Sequence, residues 1–556
     1  MRLLIERFFP PSRITVAVVA VVVAFKLWIT SYIRTLPLYA PHDATNFLDH
    51  AQAILLGAWF GTYTSLTLIK GAFFPVYLAA ISELGLGVNL AHQLSYLFAC
   101  WIACLAVVPI VRRRGALLGI GIALAFNPLT FDYMSWVTYR SQVSGTLSLL
   151  TVACVAALYI RRARVVRARI PWAIGLGFSL GALWLTREEG IWIAPCVFVL
   201  AGACVYHESR RRRVDDVSSA PLLLVPSAIW VAMVGIVAAF NGHYYGWAVT
   251  TELQSHEYIA AYNSLERIAH APSGRAVPIP KEARKIAYRV SPLARELEPF
   301  IDGAQAQRVW FGSSCASGYS CTDIAGGWIH WSIRSAVQLA GYYDSGEHAR
   351  NFYSGMSEQI DRACEAHEIQ CWPKRRTLAP RLSGQFGIVA QHFILGATTF
   401  ARLGNWSIDA WQISEAPPAT IKEYNFVARD VDAVTQPLVT YDQQFKVSLL
   451  LVVERVYAAL LPIALVLIVI GTIARIGWFA LRGRAIGEAY TIFIAIAASG
   501  VALLGLLAIV DALSFPGFND DYFASLYSVT FFAVSVVIAT ETAWMFDFLE
   551  RLKKRT

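Results

Sequence analysis

The chain has 556 residues, of which 56% are hydrophobic and 15% charged, with a formal net charge of +9. Soluble domains carry about 25% charged residues, so this composition excludes an ordinary soluble protein and marks a polytopic membrane protein. The basic surplus is not a nucleic-acid footprint, because it falls in short clusters between apolar runs, where it sets topology.

A helix needs about 20 apolar residues to cross a bilayer. Ten segments are predicted to do so in chain order, near 14–34, 91–111, 115–134, 142–160, 171–187, 190–206, 219–240, 447–471, 487–512 and 522–546. No small-residue cleavage site follows the first, so it is read as a span and not a cleaved leader. Basic clusters flank alternate ends: Arg2, Arg7 and Arg13; Arg112–Arg114; Arg161, Arg162, Arg164, Arg167 and Arg169; Arg210–Arg213; Arg475, Arg482 and Arg484; Lys553, Lys554 and Arg555. With ten spans all lie on one side. The positive-inside rule makes that side cytoplasmic, with both termini inside a multi-pass protein of the cell inner (plasma) membrane.

Residues 72–88, "AFFPVYLAAISELGLGV", are apolar but short and contain Pro75 and Glu83. Counting them as a span would put Arg112–Arg114 outside, so they are read as an interfacial or re-entrant helix. Residues 35–90 then form one extracytoplasmic loop lying against the membrane. The polar region 241–446 shows helical periodicity in "WIHWSIRSAVQLAGYY" and "HARNFYSGMSEQIDRACEAH". The expected division is a seven-span module over 1–240, a mainly helical extracytoplasmic domain over 241–446 and a three-span module over 447–556. Five of the nine cysteines lie in predicted spans, and the other four, Cys315, Cys321, Cys364 and Cys371, lie in this domain. An even number in an exported domain reads as two disulfides. The short loops Cys315–Cys321 and Cys364–Cys371 are the preferred pairing. A zinc site is the rival, without the usual CxxC spacing.

Charged groups at span ends are costly to place there, which makes each a site candidate. The first loop supplies Asp43, Asp49 and Lys70. "FDYMSWVTYRSQ" supplies Asp132, Tyr139 and Arg140, and "LTREEGIWIAP" supplies Arg187, Glu188 and Glu189 between Trp184 and Trp192. The second of these turns has almost no other polar residue, which favours function over a solvated turn. Arg140 is read equally as an interfacial anchor or a phosphate ligand. Asp520 and Asp521 in "FNDDYF" are read as an exposed turn, and Asp49 and His50 as structural groups capping or solvating a helix. Asp43 and His50, seven apart, share a helix face, so a divalent metal stays open without being favoured. No cofactor is firmly implied.

The run from Asp43 through "AQAILLGAWFG" to Lys70-Gly71 and "AFFPVYLAAISELG" resembles the first loop of GT-C superfamily membrane glycosyltransferases. Its nearest relatives in style are the protein O-mannosyltransferases and the lipid A aminoarabinose transferases. It departs from them where His42-Asp43-Ala44 replaces two adjacent acids and where Gly71-Ala72 follows the lysine. The order of features carries the likeness over about 1–240. The resemblance implies an all-α, GT-C-like bundle of about ten transmembrane helices with a helical extracytoplasmic domain. It implies a polyprenyl-phosphate-linked sugar as donor, transfer outside the cytoplasm, and a lipid, polysaccharide or protein acceptor, with membrane lipid but no nucleic acid as partner. Asp43 is then the general base of an inverting displacement, and Lys70 sits on the lipid phosphate with Arg140 and Arg187 as further contacts. Glu188, Glu189, His42 and Tyr139 would face sugar or acceptor. Two alternatives stay open. A transporter or flippase of lipid-linked sugars would call for inverted repeats and helices broken at mid-membrane. A non-catalytic scaffold of a cell-envelope glycan assembly would leave the acidic loop unexplained.

Overall fold

The computed structural model describes residues 13–111, 113–132, 135–211, 222, 224–271, 276–382, 384–404, 414–429, 440–482 and 486–553. Of the basic clusters, Arg2, Arg7, Arg112, Arg212, Arg213, Arg484, Lys554 and Arg555 lie outside the described residues. The chain is all-α. Among the described residues the β pairing is two isolated bridges, Leu36 with Val137 and Ile268 with Cys371.

The helices run α1 Arg13–Thr30, α2 Ala44–Leu55, α3 Phe73–Glu83, α4 Val88–Val107, α5 Arg114–Ala125, α6 Ser141–Ile160, α7 Ile170–Trp184, α8 Ala194–Arg211 and α9 Leu224–Tyr245. A second group follows: α10 His256–Glu266, α11 Lys281–Val290, α12 Pro292–Glu296, α13 Glu298–Ile301, α14 Ala304–Ala316, α15 Gly326–Leu339 and α16 Gly346–Glu365. The chain ends with α17 Phe386–Arg402, α18 Pro418–Ala428, α19 Tyr441–Arg482, α20 Glu488–Leu513 and α21 Asp520–Lys553.

Eight of these are long and apolar enough to cross a membrane: α1, α4, α6, α8 with its leading turn, α9, α19, α20 and α21. The other two expected spans are shorter helices, α5 with 12 residues and α7 with 15. At 1.5 Å per residue they reach only about 18 and 22 Å. α5 stops early for a local reason. Pro128 has no N–H to continue the ladder, and the Asn127 side chain accepts from the Leu129 N–H to cap a 3-10 turn there. α3, at 11 residues, is far too short to span.

α6 is the axis of the bundle, packed between α4, α7 and α21 and buried along nearly its whole length. Three of its hydroxyls bond back within the helix: Ser144 donates to the Ser141 carbonyl (2.9 Å), Thr146 to that of Gln142 (2.8 Å) and Thr151 to that of Leu147 (2.8 Å). Small residues of this kind let neighbouring helices approach closely. At its C-terminal end Arg161 donates to the Ala106 carbonyl (2.7 Å), and Arg162 pairs with Glu488 (2.7 Å). Arg475 pairs with Glu541 (2.5 Å), joining the ends of α19 and α21. Arg113, over the Phe546 ring (5.1 Å), Arg161, Arg162 and Arg475, which follow the second, fourth and eighth predicted spans, therefore gather at one end of the bundle. Tyr139 and Arg140 stand at the other end of α6, 20 residues away, about the 30 Å of a bilayer core.

α19 has 42 residues, a rise of about 63 Å that exceeds the roughly 30 Å of a bilayer core. Near its start the Lys446 ammonium is held by Ser31 Oγ (3.0 Å), by Asp442 (2.7 Å) and over the Trp28 ring (5.1 Å). Near its finish lies the Arg475–Glu541 pair.

The outer domain has its own core, built on Tyr258, Tyr353, Ile329, Ile333 and Met356, with Cys315 joined to Cys321 and Cys364 to Cys371. Phe60, Tyr63, Leu68 and Ala72 of the first loop belong to this core. The stretch 241–446 is not one body. α17 returns to the membrane helices, where Phe393, Ala397 and Phe400 join the bundle core and His392 Nδ1 meets Asp511 (2.6 Å). α18 packs on α2 and α3.

Candidate active site

Asp43 occupies the position before α2 where an aspartate ordinarily caps the helix. Its side chain makes no capping bond. It turns instead to the Lys70 ammonium, 2.7 Å away, in a pair whose members are 31% and 15% exposed. The Lys70 backbone is fixed from two directions. On one side the Leu68 carbonyl accepts from the Glu252 N–H (2.8 Å) of the outer domain. On the other, Gly71 lies against the end of α7, and a Cβ there would stand 2.1 Å from the Leu185 carbonyl oxygen. That oxygen also accepts from the Phe73 N–H (2.9 Å). Glycine is required by this close approach.

Electrostatics makes the pair one unit. Burial works to raise the Asp43 carboxyl, but the Lys70 and Arg140 cations, with hydrogen bonds from Lys70 and Tyr139, hold it below the usual carboxylate range. The Tyr139 phenol is raised by burial and by the Asp521 and Asp43 carboxylates, so it stays a neutral donor. His42 is lowered by burial, with Lys70 and Arg334 adding to the effect and Asp43 opposing it, so its imidazole is neutral near pH 7. Arg140 donates to the Thr186 carbonyl (2.9 Å) and lies over the Phe47 ring (5.8 Å).

Arg187 and Asp521 are buried at the same end of the bundle. The two terminal guanidinium nitrogens of Arg187, Nη1 and Nη2, are taken by Glu189 (2.7 Å) and by Asp521, and Asp521 also accepts from Ser141 at the start of α6. Burial alone would lower Arg187, but the Asp521 and Glu189 carboxylates outweigh it and keep it charged. Asp521 is thus not the exposed turn residue expected from "FNDDYF". The side chains of Glu188 and Asp520 lie outside the described residues.

His50 is buried and stacks on Phe60 (4.5 Å), and its imidazole is lowered to about 3 by burial. Asp49 is raised to about 7 by burial and by its hydrogen bond to Glu423 on α18. Among the described residues no three His, Cys, Asp or Glu side chains converge as a metal site would require.

Sequence reading missed the outer-domain side of the site. Trp331 on α15 lies with its ring 5.7 Å from Lys70 Nζ and 4.3 Å from the His42 ring. Arg334, one turn on, is buried against Glu252 (2.7 Å), which also accepts from Tyr63 (2.6 Å) and Tyr343 (2.7 Å). Only helical period was legible there, because the partners are far off in sequence, 82 residues for Arg334 and Glu252 and 273 for Ser65 and Gln338.

No family model matches the sequence, and no curated protein matches it. Among solved structures the chain is similar to ArnT from Cupriavidus metallidurans in the apo state, at 15% identity over 90% of this chain and 78% of that one, with a TM-score of 0.32. It is similar to the same protein bound to undecaprenyl phosphate, at 15% identity over 89% and 78%, with a TM-score of 0.31. It is also similar to the arabinosyltransferase EmbB from Mycobacterium smegmatis, at 12% identity over 89% of this chain and 42% of that one, with a TM-score of 0.32. These likenesses are distant, and the chemistry proposed below rests on the residues of the site.

Proposed function

We propose that the chain is a membrane glycosyltransferase of the GT-C type. It moves a sugar from a polyprenyl-phosphate carrier to an acceptor on the membrane face opposite the arginine clusters. The observation that carries this reading is the Asp43–Lys70 pair, a carboxylate and an ammonium in contact at the end of the bundle, between membrane helices and the outer domain.

The acceptor hydroxyl gives its proton to Asp43 as its oxygen attacks the anomeric carbon. The carbon–oxygen bond to phosphate breaks on the opposite side, and the lipid phosphate leaves with the electron pair. Its growing charge is met by Lys70 and Arg140. Retention would need a second, nucleophilic carboxylate. Glu189 and Asp521 are both engaged by Arg187, which supports inversion. The same engagement makes Arg187 a positioning residue, holding the start of α21 against α6, and not a phosphate ligand.

The resting contact between Asp43 and Lys70 has a functional side. While paired, the carboxylate is a weak base. A donor phosphate that draws Lys70 away relieves that stabilisation and makes Asp43 a stronger base when it is needed. Asp43→Asn is expected to lower transfer by about 10²–10⁴-fold, with the protein still folded and inserted. The check is turnover of radiolabelled polyprenyl-phosphate sugar together with identification of the glycan lost on gene deletion. Near-normal turnover of a folded Asp43→Asn protein would refute the base assignment.

A further inference from the structure

Helix α15 belongs to the outer domain, yet it turns two indoles toward the Asp43–Lys70 pair. Trp331 faces both the Lys70 ammonium and the His42 ring, and Trp328, one turn earlier, meets His42 edge-on at 6.5 Å. Both indoles are half-buried, so neither is sealed into the domain core. Their placement is rigid. Trp328 Nε1 donates to Ser317 Oγ (3.0 Å), the Arg334–Glu252 pair anchors the next turn, and Gln338 accepts from the Ser65 N–H (2.8 Å).

We infer that Trp331, with His42 and Trp328 beside it, forms an aromatic platform for the C–H face of the donor's sugar ring. This rests on the glycosyltransferase reading and names the part of the protein that recognises the sugar. If Lys70 holds the lipid phosphate, the sugar joined directly to that phosphate lies within reach of an indole 5.7 Å from the ammonium. The flat electron-rich face of an indole matches the weakly positive C–H face of a sugar. The neutral imidazole of His42 closes one edge of the platform without adding charge. A prenyl tail is the other apolar ligand on the same carrier. It would run toward lipid, away from a surface edged by Lys70 and His42.

The test uses the full-length protein in nanodiscs, with equilibrium binding of decaprenyl phosphate and of its mannosyl, glucosyl, arabinofuranosyl and aminoarabinosyl esters. Wild type is expected to bind at least one ester more tightly than the bare lipid phosphate. Trp331→Ala should weaken that ester by about three- to tenfold while leaving the bare phosphate unchanged. Trp331→Phe should recover most of the loss. Equal affinity of wild type for esters and bare phosphate, or an equal loss for both in Trp331→Ala, would overturn the platform and leave the glycosyltransferase reading intact. A wild-type protein that binds none of the five ligands would overturn that reading itself.

Discussion

Replacing Gly71 by alanine tests how the site is held, with one methyl group as the perturbation. The added Cβ would stand 2.1 Å from the Leu185 carbonyl oxygen, 2.6 Å from its carbonyl carbon and 3.3 Å from its Cα, all backbone atoms at the end of α7. Contacts under 3.0 Å are essentially never seen for a real Cβ, so the Lys70–Gly71 strand must move off by about 1 Å. That movement strains the Phe73 N–H bond to the same oxygen and carries the Lys70 ammonium with it. Misplacing a reacting group by about 1 Å costs roughly 10²-fold in rate, and overpacking of this kind costs about 1–3 kcal/mol of stability. Turnover of polyprenyl-phosphate sugar and the thermal unfolding midpoint in detergent are measured side by side. Gly119→Ala on α5 is the control, since nothing lies within 4 Å of a Cβ there. That change should leave turnover intact and stabilise slightly, by about 0.5–1 kcal/mol. A Gly71→Ala protein with wild-type turnover and midpoint would refute the account of how Lys70 is positioned.

Lys70→Met removes the leading cation that holds the Asp43 carboxyl low, so its pKa must rise. The acid limb of the pH–rate profile is expected to move toward neutral pH, with kcat/KM down about 10²–10³-fold; a limb that does not move separates Asp43 from the rate. Asp43 is depressed in the fold, so the pair's stability is present above the ordinary aspartate value and lost as pH falls through the folded one. With both partners part-exposed it contributes at most about 1 kcal/mol, and the unfolding midpoint of Lys70→Met at neutral pH should hardly change. Asp49 runs the other way. Raised to about 7 by burial and Glu423, it favours folding below its ordinary value and loses that contribution as pH rises through about 7. Asp49→Asn should therefore unfold at a higher temperature than wild type in mildly alkaline buffer, with the gap closing in acid. Parallel midpoints across that range would remove the Asp49–Glu423 pair as the cause.

The membrane helices were legible because a bilayer imposes a length on apolar runs that no local preference can hide. Where a local signal overrides that length, as Asn127-Pro128 does at the end of α5, the segment expected at 115–134 shrinks to a helix of 12 residues. α17 lies inside the stretch assigned to the outer domain, yet Phe393, Ala397 and Phe400 pack in the membrane core, a contact that no local pattern announces. The same limit governs the site. Asp43 and Lys70 stand out in the sequence because both sit in one short loop, and the fold brings them to 2.7 Å. Asp521 was misread because Arg187, which neutralises it, lies 334 residues away. In the sequence Arg187 reads as free to meet phosphate, whereas the fold sets Glu189 and Asp521 on it. A guanidinium beside two acids reads as available until the fold brings the second carboxylate to it.

Helix α19 sets a dimension for the whole protein. Its two polar moorings, Lys446 on Ser31 and Arg475 on Glu541, are 29 residues apart, a rise of about 44 Å. A bilayer measured across both headgroup layers is about 40–45 Å. The helix is a calliper set to about that thickness, with Pro462 between its moorings as the one break in the hydrogen-bond ladder. Its Lys446 jaw grips the last turn of α1, from which the loop carrying Asp43 departs. A bilayer thinner or thicker than this calliper must tilt α19, drag on one mooring or deform itself.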